Sequence, residues 1–266
     1  MRRFFEGRAG MAALAGLLAV LSATSRVRAQ DALPAQLLEP DYLLSVGEIV
    51  DRGTWRDVET VVGAEGETRV TYSTQTQYDL LHVPRIVGGR ALEPGDRLQF
   101  FRLERRIADP ATREPLGTLL LPTGVGTVDS LAGETVRVRV TDAFHAIVVG
   151  DRVRVVTAGE AIVPAEGAGF SEGRIVAFQE EKAIQSPFDR MFLRPEAAGG
   201  LAPGQVVELY RPGERRGGVQ LPEEVVGKAM IVRVDGPLAA AVTFELERAD
   251  LAVGDLFRAL PASAAD

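Results

Sequence analysis

The sequence predicts an all-β protein with two tandem small β-barrels, SH3-like or of a related kind, after an N-terminal signal peptide. Three observations support this prediction. Short segments alternate apolar with polar residues, glycine-containing turns separate them at short intervals, and one segment occurs twice. The two copies read ALEPGDRLQFFRLERR from Ala91 and GLAPGQVVELYRPGERR from Gly200, which indicates duplication of one β-rich unit.

The first 29 residues have the pattern of a signal peptide. A basic start precedes an uncharged apolar run at 11–23, and Val27 and Ala29 occupy the small-residue positions of a cleavage site after Ala29. The run is shorter than the roughly 20 residues that span a bilayer, which favours cleavage over retention as an anchor helix. The pair Arg2-Arg3 leaves both the Sec and the twin-arginine route open. We therefore expect a periplasmic or otherwise exported protein.

A leader is predicted at 30–41 and the first barrel repeat at 42–156. The segment TVRVRVT at 135–141 alternates apolar and charged residues, and Leu98 and Phe100 share one face of RLQFF. Short strands with one buried face must close on themselves or pack as a sandwich, and we predict closure. Pro and Gly interrupt these strands too often for a membrane-spanning barrel, so no transmembrane span is expected after signal removal.

The second copy follows a Gly-, Ala- and Pro-rich linker, TAGEAIVPAEGAG, at 157–169. The second barrel repeat is predicted at 170–261 and a short tail at 262–266. SVGEIV at 45–50 matches SEGRIV at 171–176, and IVVGDRV at 147–153 matches LAVGDLF at 251–257.

The turns of the two copies share their chemistry. In the Pro-Gly-Asp and Val-Gly-Asp turns, Gly accepts a positive φ and Asp caps the backbone. Asp96, Asp151 and Asp255 are therefore predicted to support the scaffold.

Charge and cysteine content exclude several classes of partner and site. The chain has a formal net charge of −7, and five of its Arg but only one Glu lie in the signal peptide, so the mature protein is more acidic still. This argues against nucleic acid or anionic lipid as a partner. Because the chain has no Cys, it has no disulfide, thiolate metal site, thiol nucleophile or lipidated cysteine.

No catalytic arrangement stands out in the sequence. His82 and His145 are the only histidines, no Ser lies in a G-x-S-x-G segment, and the doublets Glu180-Glu181 and Glu223-Glu224 are typical of solvated turns. Two isolated His without Cys make a poor metal site. We therefore predict a non-enzymatic protein with no cofactor and no metal, and keep an enzyme acting on envelope polysaccharide as the less favoured alternative.

Arginines follow the repeated strand in both copies and are the candidate binding residues. Guanidinium groups there could bind carboxylates or phosphates of envelope polymers, while the alternative is that charged hairpin tips keep strand edges soluble. The candidates are Arg102, Arg105 and Arg106 in the first copy and Arg211, Arg215 and Arg216 in the second.

These turn motifs carry a resemblance to a known family. The segments ALEPGDRLQFFR, DPATREPLGTLLLPTGVGTV and IVVGDRV resemble the β-rich domain that accompanies LysM modules in bacterial envelope proteins, and the related C-terminal domain of the flagellar assembly protein T. The matching positions are Gly47, Gly95, Asp96, Asp109, Pro110, Thr112, Glu114, Gly117, Gly126, Gly150 and Asp151. The resemblance implies an SH3-like or related barrel and an accessory envelope role, with no catalytic residues to transfer.

The function predicted from these observations is that of an exported accessory protein of the cell envelope. It would act as a binding or scaffold module, with peptidoglycan as the candidate partner. The alternative is a structural subunit of a larger flagellar or secretion-type assembly that binds envelope proteins.

Overall fold

The computed structural model describes residues 40–51, 53–55, 58–65, 79–156, 171–197 and 200–259. The predicted signal peptide at 1–29, the linker at 157–169 and the tail at 262–266 lie outside the described residues, as does nearly all of the leader. Nearly all of the regular secondary structure in the described chain is β-strand, which confirms the all-β prediction. No helix among the described residues is long and apolar enough to cross a membrane.

The described residues contain one short helix and seventeen strands. The first part of the chain contains α1 (Pro40–Leu43), β1 (Glu48–Val50), β2 (Gly63–Ala64), β3 (Leu80–Pro84), β4 (Ile86–Val87), β5 (Arg90–Ala91), β6 (Arg97–Ala108), β7 (Pro115–Ala132), β8 (Thr135–Ala143) and β9 (Arg152–Val155). The second part contains β10 (Glu172–Phe178), β11 (Arg190–Pro195), β12 (Val206–Arg211), β13 (Arg215–Arg216), β14 (Val219–Gln220), β15 (Glu224–Asp235), β16 (Leu238–Leu246) and β17 (Leu256–Ala259).

The second part closes into a six-stranded antiparallel barrel in the order β10-β11-β16-β15-β12-β17. Alternate residues of the strands point inward and form a continuous apolar core, which includes Val207, Leu209 and the fully buried Phe257. Closure removes the free edges of a sheet. The prediction of a small barrel is thus confirmed for this part of the chain.

The first part forms a seven-stranded sheet in the order β2-β3-β8-β7-β6-β9, with β1 pairing β7 beside this path. Leu98 and Phe100 of β6 point into its core, as the alternation in the sequence predicts, and Val136 and Val138 of β8 pack against them. The long strand β7 has three neighbours: its residues 118–120 pair β1, its residues 115–127 pair β6, and its residues 124–132 pair β8.

Hydrogen bonds from residues 59–62 link the two ends of this sheet. Val61 N–H donates to Asp151 O (2.8 Å), Gly150 N–H donates to Val61 O (2.9 Å), and Val62 N–H donates to His82 O in β3 (2.9 Å). Thr60 also forms a bridge with Arg152 at the start of β9. Residues 59–64 thereby lie between β9 and β3. In the barrel, β10 occupies the equivalent position between β17 and β11.

The same two bonds occur in the barrel. Ile175 N–H donates to Asp255 O (2.9 Å), and Gly254 N–H donates to Ile175 O (2.9 Å). The match of 45–50 with 171–176 is therefore wrong as a structural equivalence. Residues 48–50 are an extra strand beside β7, and 59–64 correspond to β10.

The repeated turns follow the predicted chemistry. Gly150 and Gly254 have φ of 96° and 100°, a region that side chains with a Cβ rarely adopt. Asp151 and Asp255 follow them and accept N–H bonds from Val148 (3.1 Å) and Ala252 (2.8 Å). The predicted scaffold role of these two aspartates is confirmed.

Candidate functional site

Two of the six candidate arginines are bound to the turn aspartates. Arg102 donates from Nε to Asp151 Oδ1 (2.8 Å) and from Nη2 to Asp151 Oδ2 (2.8 Å). Arg211 makes the same two-point contact with Asp255, at 2.8 and 2.9 Å. The hydrogen bonds that the guanidinium groups donate to these carboxylates raise the pKa of both arginines. These pairs fasten each repeated strand to the Val-Gly-Asp turn of its own unit.

Arg211 has one further contact that its counterpart lacks, because it also reaches the carboxylate of Asp250 (3.0 Å). Both arginines donate to a main-chain oxygen as well, Arg211 to that of Asp250 and Arg102 to that of Ala146 (2.9 Å). Hydrogen bonds from Arg248 and Arg211 lower the pKa of Asp250 to about 2. The positive charge of Arg211 is thus balanced within the protein.

Arg215 and Arg216 lie apart from this pair, on the exposed hairpin β13–β14. Arg216 binds Glu214 through Nε and Nη2 (2.9 and 2.7 Å), and Arg215 Nε donates to Gly218 O (3.4 Å). The structure therefore does not gather the three arginines of the second copy into one cluster.

Arg105 and Arg106 line a groove of about 510 Å³ between β6 and β10. The groove has a cationic part, formed by these two residues and Lys182, and an apolar part that includes Ile107 and Val253. Its volume falls within the range of about 300–1,000 Å³ that is typical of ligand sites. The complete lining is Arg105, Arg106, Ile107, Ala108, Val176, Ala177, Phe178, Glu181, Lys182, Ala183, Gln185, Asp250, Leu251, Ala252 and Val253.

The two arginines of the groove differ in their contacts. Arg105 reaches across the groove, where it donates to the main-chain oxygens of Phe178 and Gln179 and pairs with Glu181 (2.9 Å). Arg106 is exposed and has no ion pair within the described ranges. Of the six candidates, Arg106 is thus the cation in the groove that is available to a ligand.

A buried glutamine joins the two units beside the groove. Gln179 is 1% exposed, and its Oε1 accepts a bond from Gly47 N–H (2.6 Å) while its Nε2 donates to Ser45 O (3.0 Å). Arg190 adds a bond from Nη2 to Ser45 Oγ (2.7 Å). Because buried polar groups are costly unless paired, this arrangement fixes the segment before β1 against the barrel.

A second contact between the units involves Asp109, which the resemblance also picks out. Arg194 donates to Asp109 Oδ2 (3.0 Å) and to Glu114 Oε2 (2.7 Å). Burial alone would raise the pKa of Asp109, but bonds from the N–H groups of Thr112 and Ala111 and the charge of Arg194 bring it below its usual value. Asp109 thus shapes its own turn and binds the other unit.

Glu48 forms a third contact. It pairs with Arg154 of β9 (2.7 Å) and lies 3.6 Å from Arg233 of β15, which also donates to Gly47 O. Burial would raise the pKa of Glu48, and the two guanidinium groups outweigh that effect and lower it. Glu48, the first residue of β1, is therefore paired with both units.

The histidines and acidic doublets do not form one site. His82 is half-buried in β3, and His145 Nε2 lies 3.9 Å from Glu180. Burial lowers the pKa of His145, partly countered by that carboxylate. Glu223 and Glu224 pair with Arg258 and Arg248. Within the described ranges no three His, Cys, Asp or Glu side chains are grouped as metal ligands require.

Sequence reasoning missed the residues between the units. Nothing in the local sequence marks Gln179 or Arg194, because each meets its partner across a large sequence separation. The Arg–Asp pairs did leave a signal, since both members recur at matching places in the two copies.

Comparison of the chain with protein-family models gives no match, and comparison with curated proteins gives none either.

Proposed function

We propose that the protein is a non-catalytic accessory protein of the cell envelope that acts as a binding scaffold, exported by its predicted signal peptide and associated with peptidoglycan. The observation that carries the proposal is the buried contact of Gln179 with Ser45 and Gly47, beside a groove with cationic side chains. Two β-units joined by paired, buried polar groups keep a fixed geometry, and a fixed geometry is what a scaffold provides.

We further propose that the two units are tandem barrels derived from one ancestor. Support comes from the shared strand order, from the equivalent bonds of Val61 and Ile175, and from the repeated Arg–Asp pairs. In this view β1 and the inter-unit contacts were added to a duplicated module.

The experiment that tests wall association is pelleting with purified sacculi over a salt series. The test variant replaces the exposed arginines Arg106, Arg215 and Arg216 with Ser, and leaves Arg102 and Arg211 in place because they bind their turn aspartates. We expect pelleting that decreases with salt and in the variant. Absence of pelleting at low salt would discard association with the wall.

The second candidate function is that of a subunit in a larger envelope assembly. One observation favours it: β9 pairs β6 only as far as Phe101, so from Arg102 to Ala108 β7 is the one strand of the described chain that pairs with β6, with an interruption at residues 104 and 105. A strand edge of this kind is a common docking place for a partner chain.

A further inference from the structure

We propose that the groove between β6 and β10 binds an extended acidic segment of a partner polypeptide, which adds as a strand to the uncovered edge of β6. This inference depends on the proposed scaffold role and names the chemistry of its partner. Three observations support it: the uncovered strand edge, the charge of the groove, and the shape of its lining.

The edge is the first observation. Beyond Phe101, β6 continues to Ala108 with β7 on one side, where the register is interrupted at residues 104 and 105, and no strand among the described residues pairs with its other side. Residues 105–108 of this stretch line the groove. At about 3.3 Å per residue they offer roughly 13 Å of main chain, enough to pair with a short extended peptide.

On the opposite wall, the end of β10 likewise has one neighbouring strand in the part of the chain that the structure describes. β17 pairs β10 at residues 172–174, and Ile175 makes the last bonds of this side, to the loop that precedes β17. Val176, Ala177 and Phe178 line the groove beyond that point. The groove thus lies between two strand ends, and the described residues pair with each of them on one side.

Charge defines the partner. Arg105, Arg106 and Lys182 line the groove, although the chain as a whole carries a net charge of −7. Lys182 pairs with Glu180 (2.9 Å) and Asp189 (2.8 Å), so Arg106 is the lining cation without an ion pair among the described residues. Of the lining carboxylates, Asp250 binds Arg211 and Arg248, and Glu181 already pairs with Arg105 (2.9 Å). Glu181 shows that a carboxylate fits against Arg105, and a ligand carboxylate would do the same at Arg106.

The lining suits alternating side chains. Ile107, Leu251 and Val253 supply apolar surface, with Val253 46% exposed. Gln185 is 4% exposed and its Oε1 accepts no bond from the described residues, which leaves a buried acceptor in the wall. A peptide that alternates acidic and apolar residues presents carboxylates on one face and apolar groups on the other.

Strand addition favours a polypeptide over a cell-wall peptide. Pairing along β6 requires regularly spaced N–H and C=O groups of L-residues. Wall peptides contain D-residues and side-chain linkages, which interrupt that spacing. A wall peptide in the groove is therefore a separate outcome of the test.

The test measures fluorescence anisotropy of labelled ten-residue peptides titrated with the purified protein. One peptide alternates Glu with Val, a second replaces every Glu with Gln, and a third keeps the Glu residues but replaces alternate Val with Pro. A soluble wall peptide serves as an unlabelled competitor. We expect binding of the first peptide alone, because Gln removes the charge and Pro removes main-chain donors.

Three variants place the binding in the groove. Arg106→Glu reverses the unpaired charge, and Ala183→Trp fills the groove without changing charge. Arg215→Glu makes the same charge change on the hairpin β13–β14. We expect Arg106→Glu to weaken binding about tenfold and Ala183→Trp to weaken it as well, with Arg215→Glu close to the parent protein. Circular dichroism checks that each variant keeps its β-structure.

The other outcomes of the peptide titration overturn the proposal. Equal binding of the Glu and Gln peptides removes the role of charge, and equal binding of the Pro peptide removes strand addition. Equal loss in Arg106→Glu and Arg215→Glu indicates general attraction to the surface. Binding of the wall peptide alone assigns the groove to the wall. Sacculus pelleting without peptide binding leaves the proposed function intact and rejects this inference. Peptide binding without pelleting supports this inference and rejects association with the wall.

Discussion

Arg102 and Asp151 form a two-point ion pair that ties the end of the repeated strand to the turn before β9, and Arg211 and Asp255 repeat it in the barrel. The Asp151 side chain is only 3% exposed. A carboxylate at that depth depends on its partner, because removing one member leaves a buried charge unpaired.

Replacing Arg102 with Leu is therefore expected to destabilise the protein. We expect a loss of about 2 kcal/mol in the free energy of unfolding, since Arg102 is itself partly exposed and water replaces part of its contact. Urea unfolding followed by circular dichroism measures it. The control Arg215→Leu removes an exposed arginine and should change the free energy by less than about 0.5 kcal/mol. Equal effects in the two variants would contradict a structural role for the pair.

Acid should weaken the contact between the units. The pKa of Asp109 is lowered in the folded protein, so its ionised form adds stability above the usual pKa of about 3.9, and that stability disappears as the pH falls through the lower folded value. Glu48 acts in the same direction. We expect the melting temperature to fall steeply below about pH 4, and less steeply in Asp109→Asn. A parallel pH profile for the variant would show that Asp109 contributes nothing.

Gln179 should control the order of the segment before β1. In Gln179→Leu, Gly47 N–H loses its acceptor (2.6 Å) and Ser45 O loses its donor (3.0 Å), both within a buried contact. We expect a loss of about 2 kcal/mol and faster hydrogen exchange at the Gly47 amide. The amide of Gly126, in the middle of β7, is the internal reference. Unchanged exchange at Gly47 would mean that the bond to Gln179 is not formed in solution.

Gly173 in β10 should tolerate no side chain. A Cβ there would lie 2.1 Å from Arg194 O and 2.7 Å from the Phe257 ring. Gly173→Ala is expected to cost about 3 kcal/mol through overpacking, while Gly53→Ala, where the nearest atoms lie at 3.5 Å, should cost little. Thermal melting of the two variants compares them directly. A Gly173→Ala protein as stable as Gly53→Ala would contradict the packing described for β10.

Local patterns explain which parts of the fold were predictable. Alternation predicts that Leu98 and Phe100 lie in the core, and turn chemistry predicts that Asp151 and Asp255 stabilise their turns. Both predictions hold because the alternation of side chains and the type of a turn depend on neighbouring residues. The extra strand β1 was misassigned because SVGEIV and SEGRIV share residues but pair with different strands.

The candidate site was less predictable. The repeat predicts six arginines as one group of binding residues. In the structure, two of them bind turn aspartates, two line the groove and two lie on an exposed hairpin. Only Arg105 and Arg106 lie at the groove, and the residues opposite them come from elements far along the chain. Contacts between residues so far apart in the chain cannot be predicted from a single sequence.

The contacts around Gly47 also impose an order on the maturation of the chain. Gly47 is bonded to Gln179 and to Arg233, which lie 132 and 186 residues further on. A polypeptide that leaves the ribosome or crosses a membrane from its N-terminus would expose residues 45–48 long before those partners emerge. Completion of the first unit must wait for the second, so the slowest folding step should be the late capture of this early segment, and a chain shortened before Arg233 would never complete it.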